Sequence, residues 1–412
     1  MTTDKHNKRP NVPPLRFPEF SGEWERSKLG YLTTKVGSGS TPRGGNSVYI
    51  ERGHCFVRSQ NVGMGVLLLD DIAHIDDNTH KKQIATEIKE NDVLLNITGA
   101  SIGRTAVATY LIAGGNVNQH VCIIRTNDLL NHNYLCNYIQ TKKIQNYIYS
   151  LQTGGSREGL NFEQVRSFPI CYPSEIEQIK ISHLISLLGR RIAIQSGLIE
   201  KLESLISGIC KQFHDKTENW IQVSFIELGE DYSGLTNKSA GDFGKGKPYI
   251  TYLNVNTNHI IDESQIQYVS VADDEKQNKV HWGDVIFTLS SETPDEVAVG
   301  SVYLGNCDEL YLNSFCFGIH IVNEQYIYQP YLSYFISSPQ FRKWVFPLAQ
   351  GSTRFNLQKA DFMKKKFLLP PIKEQKKLYD SLSTISKRVV IESSILSKLQ
   401  LLKLYLLQQM FI

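Results

Sequence analysis

The chain has 412 residues, 41% apolar and 21% charged, with a formal net charge of +3. That composition suits a soluble globular protein of more than one domain, and with no run of about 18 apolar residues it predicts no membrane-spanning helix. The seven cysteines, at 55, 122, 136, 171, 210, 307 and 316, form no Cys-x-x-Cys pair; they read as free thiols in a reducing compartment, so the expected location is cytoplasmic.

Taken in order, the chain opens on a polar, basic stretch, Met1 to Asn11, without the apolar core of a secretory signal, and residues 1–16 are expected to be a flexible tail. Between residues 17 and 173, short runs heavy in Val, Ile, Tyr and Phe alternate with Gly, Asn and Ser, the pattern of strands and turns. Helical spacing enters at Tyr134 to Tyr149. Pro173 then introduces Ser174 to His214, a segment without Pro and with little Gly that predicts one long helix. Residues 215–370 return to the first pattern, with helical spacing at Pro330 to Trp344. Pro371 introduces a second long helix that runs to Ile412.

The two halves repeat one plan. Trp24 with Leu29-Gly30 is answered by Trp220 with Leu228-Gly229, and the strand-like run from Gly53 to Asn61 by Gly246 to Asn254. Asn91-Asp92-Val93 is answered by Gly283-Asp284-Val285, and Asn118 to Cys122 by Asn313 to Phe317. Gly155-Ser156-Arg157 with Asn161 is answered by Gly351 to Arg354 with Asn356, and Glu177-Gln178 by Glu374-Gln375. So many landmarks in one order, at a period of about 195 residues, mark a duplication.

The long segments carry a heptad pattern. Leu184, Leu188, Arg191, Gln195, Leu198, Leu202, Leu205 and Ile209 alternate at spacings of four and three, and Ser381, Ile385, Arg388, Glu392, Ile395, Leu399, Leu402 and Leu406 hold the matching places. This predicts a coiled-coil seam, apolar at its ends with a polar layer midway. A helix of about 39 residues reaches nearly 60 Å at about 1.5 Å per residue, which overhangs a module of this size. The helices are therefore expected to pair antiparallel as a spacer, with a module at each end about a pseudo-two-fold axis.

Catalytic signatures are missing: no His-Glu-x-x-His, no Gly-x-Ser-x-Gly and no metal-spaced Cys/His cluster. Gly241 to Pro248 imitates a phosphate loop but puts Pro where Ser or Thr is needed and runs into a strand, so it reads as a turn. His54, His74, His120 and His281 have no nucleophile nearby in sequence. Neither a catalytic residue nor a metal site is expected. Lys81-Lys82, Lys142-Lys143, Arg190-Arg191 and Lys364 to Lys366 read singly as solvated faces.

Two similar but unequal modules on a rigid spacer suit the reading of duplex DNA at a split site with an unread gap. The segment Leu15 to Phe20 (Leu-Arg-Phe-Pro-Glu-Phe) with Gly22-Glu23-Trp24, Asn91 to Leu95, the Gly-Ser turn plus Asn before each long helix, and Pro370 to Gln375 carry a resemblance over nearly the whole chain. The sequence resembles the specificity subunits of type I restriction-modification systems. The resemblance implies an α+β chain of two pseudo-symmetric α/β target-recognition domains, residues 17–173 and 215–370, separated by two long helices, 174–214 and 371–412, that form an antiparallel coiled coil. It further implies that each domain reads about half of a bipartite target. The helices would dock two copies of the DNA-methyltransferase subunit, and a translocating restriction subunit would join. S-adenosylmethionine, ATP and Mg²⁺ would be bound by those partners and none by this chain. Ser174 to Gln178 departs from the family pattern by lacking its second Pro, which blurs where the first helix starts. The alternative that repeat and helices alone leave open is a non-catalytic protein–protein scaffold of tandem modules.

The repeat also sorts residues. Polar positions that match between halves, Asn61/Asn254, Asp92/Asp284 and Asn118/Asn313, are expected at turns or strand ends. Polar positions that differ are where different sequences can be read: Arg58 against Thr251, Ser59 against Tyr252, Gln60, and Gln119-His120 against Ser314-Phe315. Arg pairs bidentately with guanine and Gln with adenine. Gly-rich loops add donors in Arg43, Arg104, Lys245 and Lys247. Arg157 and Arg354, which recur after Gly-Ser, suit either a phosphate contact or a structural turn. The apolar seam positions, Leu184, Leu188, Leu198, Leu202, Leu205, Ile209, Ile385, Ile395, Leu399, Leu402 and Leu406, double as candidates for partner docking.

Overall fold

A computed structural model describes residues 11–152 and 159–412, the side chains of 45, 46 and 214–216 excepted. It divides into two compact units, one of residues up to Leu198 with Glu392–Ile412, the other Ile199–Ile391.

The units share one sheet topology. In the first, a four-stranded antiparallel sheet has the order Thr33–Ser38, Val121–Thr126, Val93–Asn96, Thr105–Val107. In the second the order is Gly229–Ser233, Cys316–Ile321, Val285–Thr288, Gly300–Val302. Each unit adds a three-stranded sheet whose central strand, His54–Val57 or Phe243–Ile250, has one antiparallel and one parallel neighbour. A strand pair ties each unit's entry to its exit: Glu25–Lys28 with Pro169–Tyr172, and Ile221–Val223 with Phe367–Leu369.

The unbroken apolar runs in the central strands follow from burial on both faces. Val93 and Leu95 face a core that includes Leu29, Tyr134 and Phe168, while Leu94 between them faces Val57, Val117 and Ile123. In the second unit Val285 and Phe287 face Phe225 and Phe362, while Ile286 faces Ile250 and Leu312. The turn into each of these strands needs a left-handed residue, supplied by Asn91 at φ 71° and by Gly283 at φ 86°.

Each short helical stretch expected as one helix is two. Thr141 separates His132–Ile139 from Lys142–Gln152, its hydroxyl donating to Tyr138 O at 2.7 Å. Ser338 separates Gln329–Phe335 from Pro339–Val345, accepting from the Phe341 N–H at 3.2 Å with Pro339 at the first helical position. Residues 11–16 are not a tail: Asn11 is buried, and Arg16 is bonded to Glu177.

The long helices span Glu175–Lys216 and Ile372–Gln409. The missing Pro does not shift the first start, since Gln178 N–H bonds Ser174 O as Gln375 N–H bonds Pro371 O, both at 3.0 Å. Within the first unit the helices run antiparallel. Ile181 and Ile185 share a core with Leu406, Leu407 and Met410, and Gln195 meets Glu392 in the expected polar layer. Within the second unit Ile206, Ile209, Cys210 and Phe213 pack against the core that holds Leu378 and Leu382. Leu184, Leu188, Leu202, Ile209, Ile385 and Leu399 are partly buried and Leu406 is buried, but Leu198, Leu205, Ile395 and Leu402 are exposed. The seam is rotated from the expected heptad phase. A helix at 3.6 residues per turn drifts about 20° per heptad, and these helices carry apolar residues on more than one face, so other side chains, Ile192, Ile206 and Leu396 among them, take the sheltered positions.

Candidate nucleic-acid interface

The residues that match between the halves hold the scaffold. Asn118 Oδ1 accepts from His120 N–H at 3.0 Å, and Asn313 Oδ1 from Phe315 N–H at 2.9 Å. Asp92 caps its turn through Lys89 N–H at 2.7 Å, and Asp284 through His281 N–H at 2.8 Å. Asn61 binds Arg58 N–H and Leu68 O; Asn254 binds Asp262 on both sides of its amide. The two glutamines at the starts of the long helices do one job: Gln178 spans Asn131 N–H, Leu129 O and Pro173 O, and Gln375 spans Tyr328 N–H, Tyr326 O and Pro370 O.

On that scaffold the first unit gathers several reader candidates. Ser59, Gln60, Arg104 and His120 line one open surface depression of about 470 Å³ with Thr98 to Ser101. Ile97 N–H bonds His120 O at 3.0 Å, drawing the two loops together. The Gln119 carbonyl accepts from Thr41 N–H at 3.0 Å, which turns its amide NH₂ toward His120 Nε2 at 2.9 Å. Nε2 must therefore accept, so the ring proton sits on Nδ1 and is given to the Thr98 hydroxyl at 2.6 Å. Arg104 is exposed beside this network. Arg58 is not presented in the same way: its guanidinium is paired with Asp71 at 3.2 Å and lies 5.7 Å from the Tyr49 ring. Gln60 also donates to Asp71. Arg43 is exposed on a separate loop, and Arg157 lies outside the described residues.

The second unit uses the same frame with other side chains. Leu289 N–H bonds Phe315 O at 2.9 Å, the counterpart of the Ile97–His120 bond. Phe315 is 53% exposed where His120 is half-buried, and the Arg354 guanidinium lies 5.6 Å from its ring. Ser314 and Phe315 line a depression of about 520 Å³ with Lys238, Phe243 and Tyr249. Thr251 and Tyr252 are spent on structure, one capping a short helix through Asn254 N–H at 3.2 Å, the other donating to Ser290 O at 3.0 Å. Lys247 is paired with Glu309, whose hydrogen bond raises the Lys247 pKa, and Lys245 is exposed. Lys238 escaped sequence reasoning because a lone lysine does not announce a groove, whereas Phe315 was located by its register with His120.

One cluster was also invisible in sequence. His281, Asp284 and His320 bring one ligand atom each within 4.8 Å of one another, though 281 and 320 are far apart in the chain. Protein donors already satisfy the carboxylate: Tyr232 OH and His281 N–H at 2.8 Å on Oδ2, and His320 Nδ1 at 2.9 Å on Oδ1. The cluster stands where the first unit has Asp92 and Arg125, and it fits a structural hydrogen-bond centre.

Among the described residues no helix is long and apolar enough to cross a membrane. A family model described as the type I restriction modification DNA specificity domain matches the chain twice, over residues 23–204 and 219–401. Among solved structures the chain is similar to the S subunit of a type I restriction-modification system from M. genitalium. The TM-score is 0.62 at 14% identity, covering 97% of this chain and 99% of that one. It is also similar, at TM-score 0.54 and 16% identity with 97% and 99% covered, to a structure concerned with complex assembly and conformational transition of the type I R-M system. At such identities the likeness shows the fold.

Proposed function

From the family to which this chain belongs, that of type I restriction-modification DNA specificity domains, we propose that it is the non-catalytic subunit that reads a bipartite duplex target and directs methyltransferase and restriction subunits to it. The observation that carries this reading is the pair of matched turns. The same backbone bonds hold Gln119-His120 in one unit and Ser314-Phe315 in the other, so one scaffold presents two different surfaces. That is what reading two different half-sites requires. In the first unit Ser59, Arg104 and His120 are the base-edge candidates, with Gln60 and Gln119 beside them. In the second they are Ser314, Lys245 and Arg354, the last held over Phe315.

The long helices set the spacing between readers and carry the partner-docking surface. Leu198, Leu205, Ile395 and Leu402, exposed on helices that must remain soluble, suit burial against two copies of the methyltransferase subunit. S-adenosylmethionine, ATP and Mg²⁺ belong to the partners in this reading, and the host cytoplasm is where they would meet.

The test is single-molecule methylome sequencing of the native host with and without the gene. A two-part adenine-methylation motif that vanishes on deletion supports the reading and gives both half-sites and the gap. If the chain is expressed together with a methyltransferase subunit that it binds and no motif changes, the reading fails.

A further inference from the structure

In the first unit, the segment Leu15 to Glu19 lies across the start of the first long helix and the end of the second. Leu15 N–H donates to the Gln409 carbonyl at 2.9 Å. Arg16 forks onto Glu177, Nε and Nη2 donating to its two oxygens at 2.8 and 2.7 Å. The Lys180 ammonium lies 4.5 Å from the Phe17 ring centroid and pairs with Glu19. Beneath this strap the Glu177 side chain is 1% exposed.

The duplication supplies a second receptor for such a strap. Glu177, Lys180 and Met410 correspond to Glu374, Lys377 and Phe213, and these line a groove of about 640 Å³ floored by Ile209, Phe213 and Leu378. Here the Glu374 side chain is 34% exposed, next to Lys377 at 2.6 Å. This half has no counterpart of Leu15 to Glu19: only Thr217, Glu218 and Asn219, which line one side of the groove, separate the helix that runs to Lys216 from Trp220, the counterpart of Trp24. For the same reason Gln212, the counterpart of Gln409, keeps its carbonyl inside the helix, and recognition rests on Glu374, Lys377 and the apolar floor.

We propose that this groove docks an extended segment of a partner protein that presents an arginine followed by an aromatic residue. The guanidinium forks onto Glu374, the geometry that makes Arg–carboxylate pairing selective, and the ring lies against Lys377. The Lys377–Glu374 pair is a surface ion pair that costs little to rearrange. This inference stands apart from the DNA-reading proposal, since it rests only on the matched helix ends.

The probe is a fluorescein-labelled peptide with the sequence of residues 11–22, titrated into the full chain and followed by anisotropy. Saturable binding is expected, weakened about tenfold or more, equivalent to about 1.4 kcal/mol, by Glu374→Gln in the protein and equally by Arg16→Ala in the peptide. Glu177→Gln should not weaken it. The peptide change tests the same contact without any risk to folding. No saturable binding, equal affinity for the Glu374→Gln chain, or loss of binding in the Glu177→Gln chain, which would mean exchange into the first unit's groove, would each overturn the proposal.

Discussion

Asp92 accepts from two nitrogens of Arg125, Nε at 2.7 Å and Nη2 at 2.8 Å, and it does so from a side chain only 1% exposed. At the same repeat position Asp284 meets His320 and Tyr232 instead. A buried carboxylate stripped of its counter-charge is among the costlier single changes, about 3 kcal/mol at the lower end of the range for such pairs. Arg125→Ala is therefore expected to accelerate amide exchange in Val93–Asn96 and Val121–Thr126 by a factor on the order of 100, with no change in Val285–Thr288. Adding Asp92→Asn should recover much of the loss, because the amide oxygen still caps Lys89. Exchange unchanged in Arg125→Ala would show that the pair contributes little.

What the sequence made legible was what the duplication wrote twice. Asn118 and Asn313, and Asp92 and Asp284, could be placed at turns, and the glutamines 178 and 375 at the starts of the long helices, because both halves keep them, and geometry requires the same bond in each. The long helices were equally plain from their missing prolines. The heptad phase was not, because Leu198 and Leu402 satisfy the spacing as well as the side chains that are sheltered; only packing tells apolar faces apart. The fate of Arg58 was hidden too, since its partner Asp71 lies in another loop and pairing is a matter of three dimensions. The order of residues 11–16 was missed for the same reason: their anchors, Glu177 and Gln409, are distant in sequence.

Gln195 gives its amide to the Glu392 backbone oxygen at 3.1 Å and to the Glu392 carboxylate, both residues being about 3% exposed. Gln195→Leu removes those donors while leaving the acceptors buried, and is expected to cost about 1–3 kcal/mol. The double change Gln195→Leu with Glu392→Leu should melt at or above the wild-type temperature, since well-packed apolar layers often match buried polar ones. Differential scanning calorimetry of the three chains decides it; a double variant less stable than the single one would contradict this account of the layer.

Burial pushes the Cys122 thiol up to about 12 and raises the Cys316 thiol as well, because the thiolate is the form that an apolar core disfavours. At pH 8 the thiolate fraction at Cys122 is on the order of one in ten thousand. Iodoacetamide at that pH should leave both cysteines unmodified in the folded chain and label them fully in urea, as read by peptide mass spectrometry. Labelling of Cys122 in the native protein at the rate of an exposed thiol would mean that the sheet core opens far more readily than its packing implies.

The two surfaces make different demands on mutagenesis. His120 is locked by Thr98 and Gln119 and stands beside exposed Arg104; Arg58 is held by Asp71. If the first depression reads bases, Arg104→Ala should relax the methylated motif in one half-site only, by about 1–3 kcal/mol of discrimination at one position. The half-site read by the second unit should be unchanged. If Arg104 instead touches phosphate, affinity falls across all sequences and the salt dependence of binding becomes shallower by about one unit of slope. Arg58→Ala should act differently, loosening the Asp71-anchored loop and weakening the same half-site without changing which base is preferred. Binding of a randomised target library by the complex with its methyltransferase, sequenced for each variant, separates these outcomes. A change in both half-sites from either substitution would break the assignment of one reader to each unit.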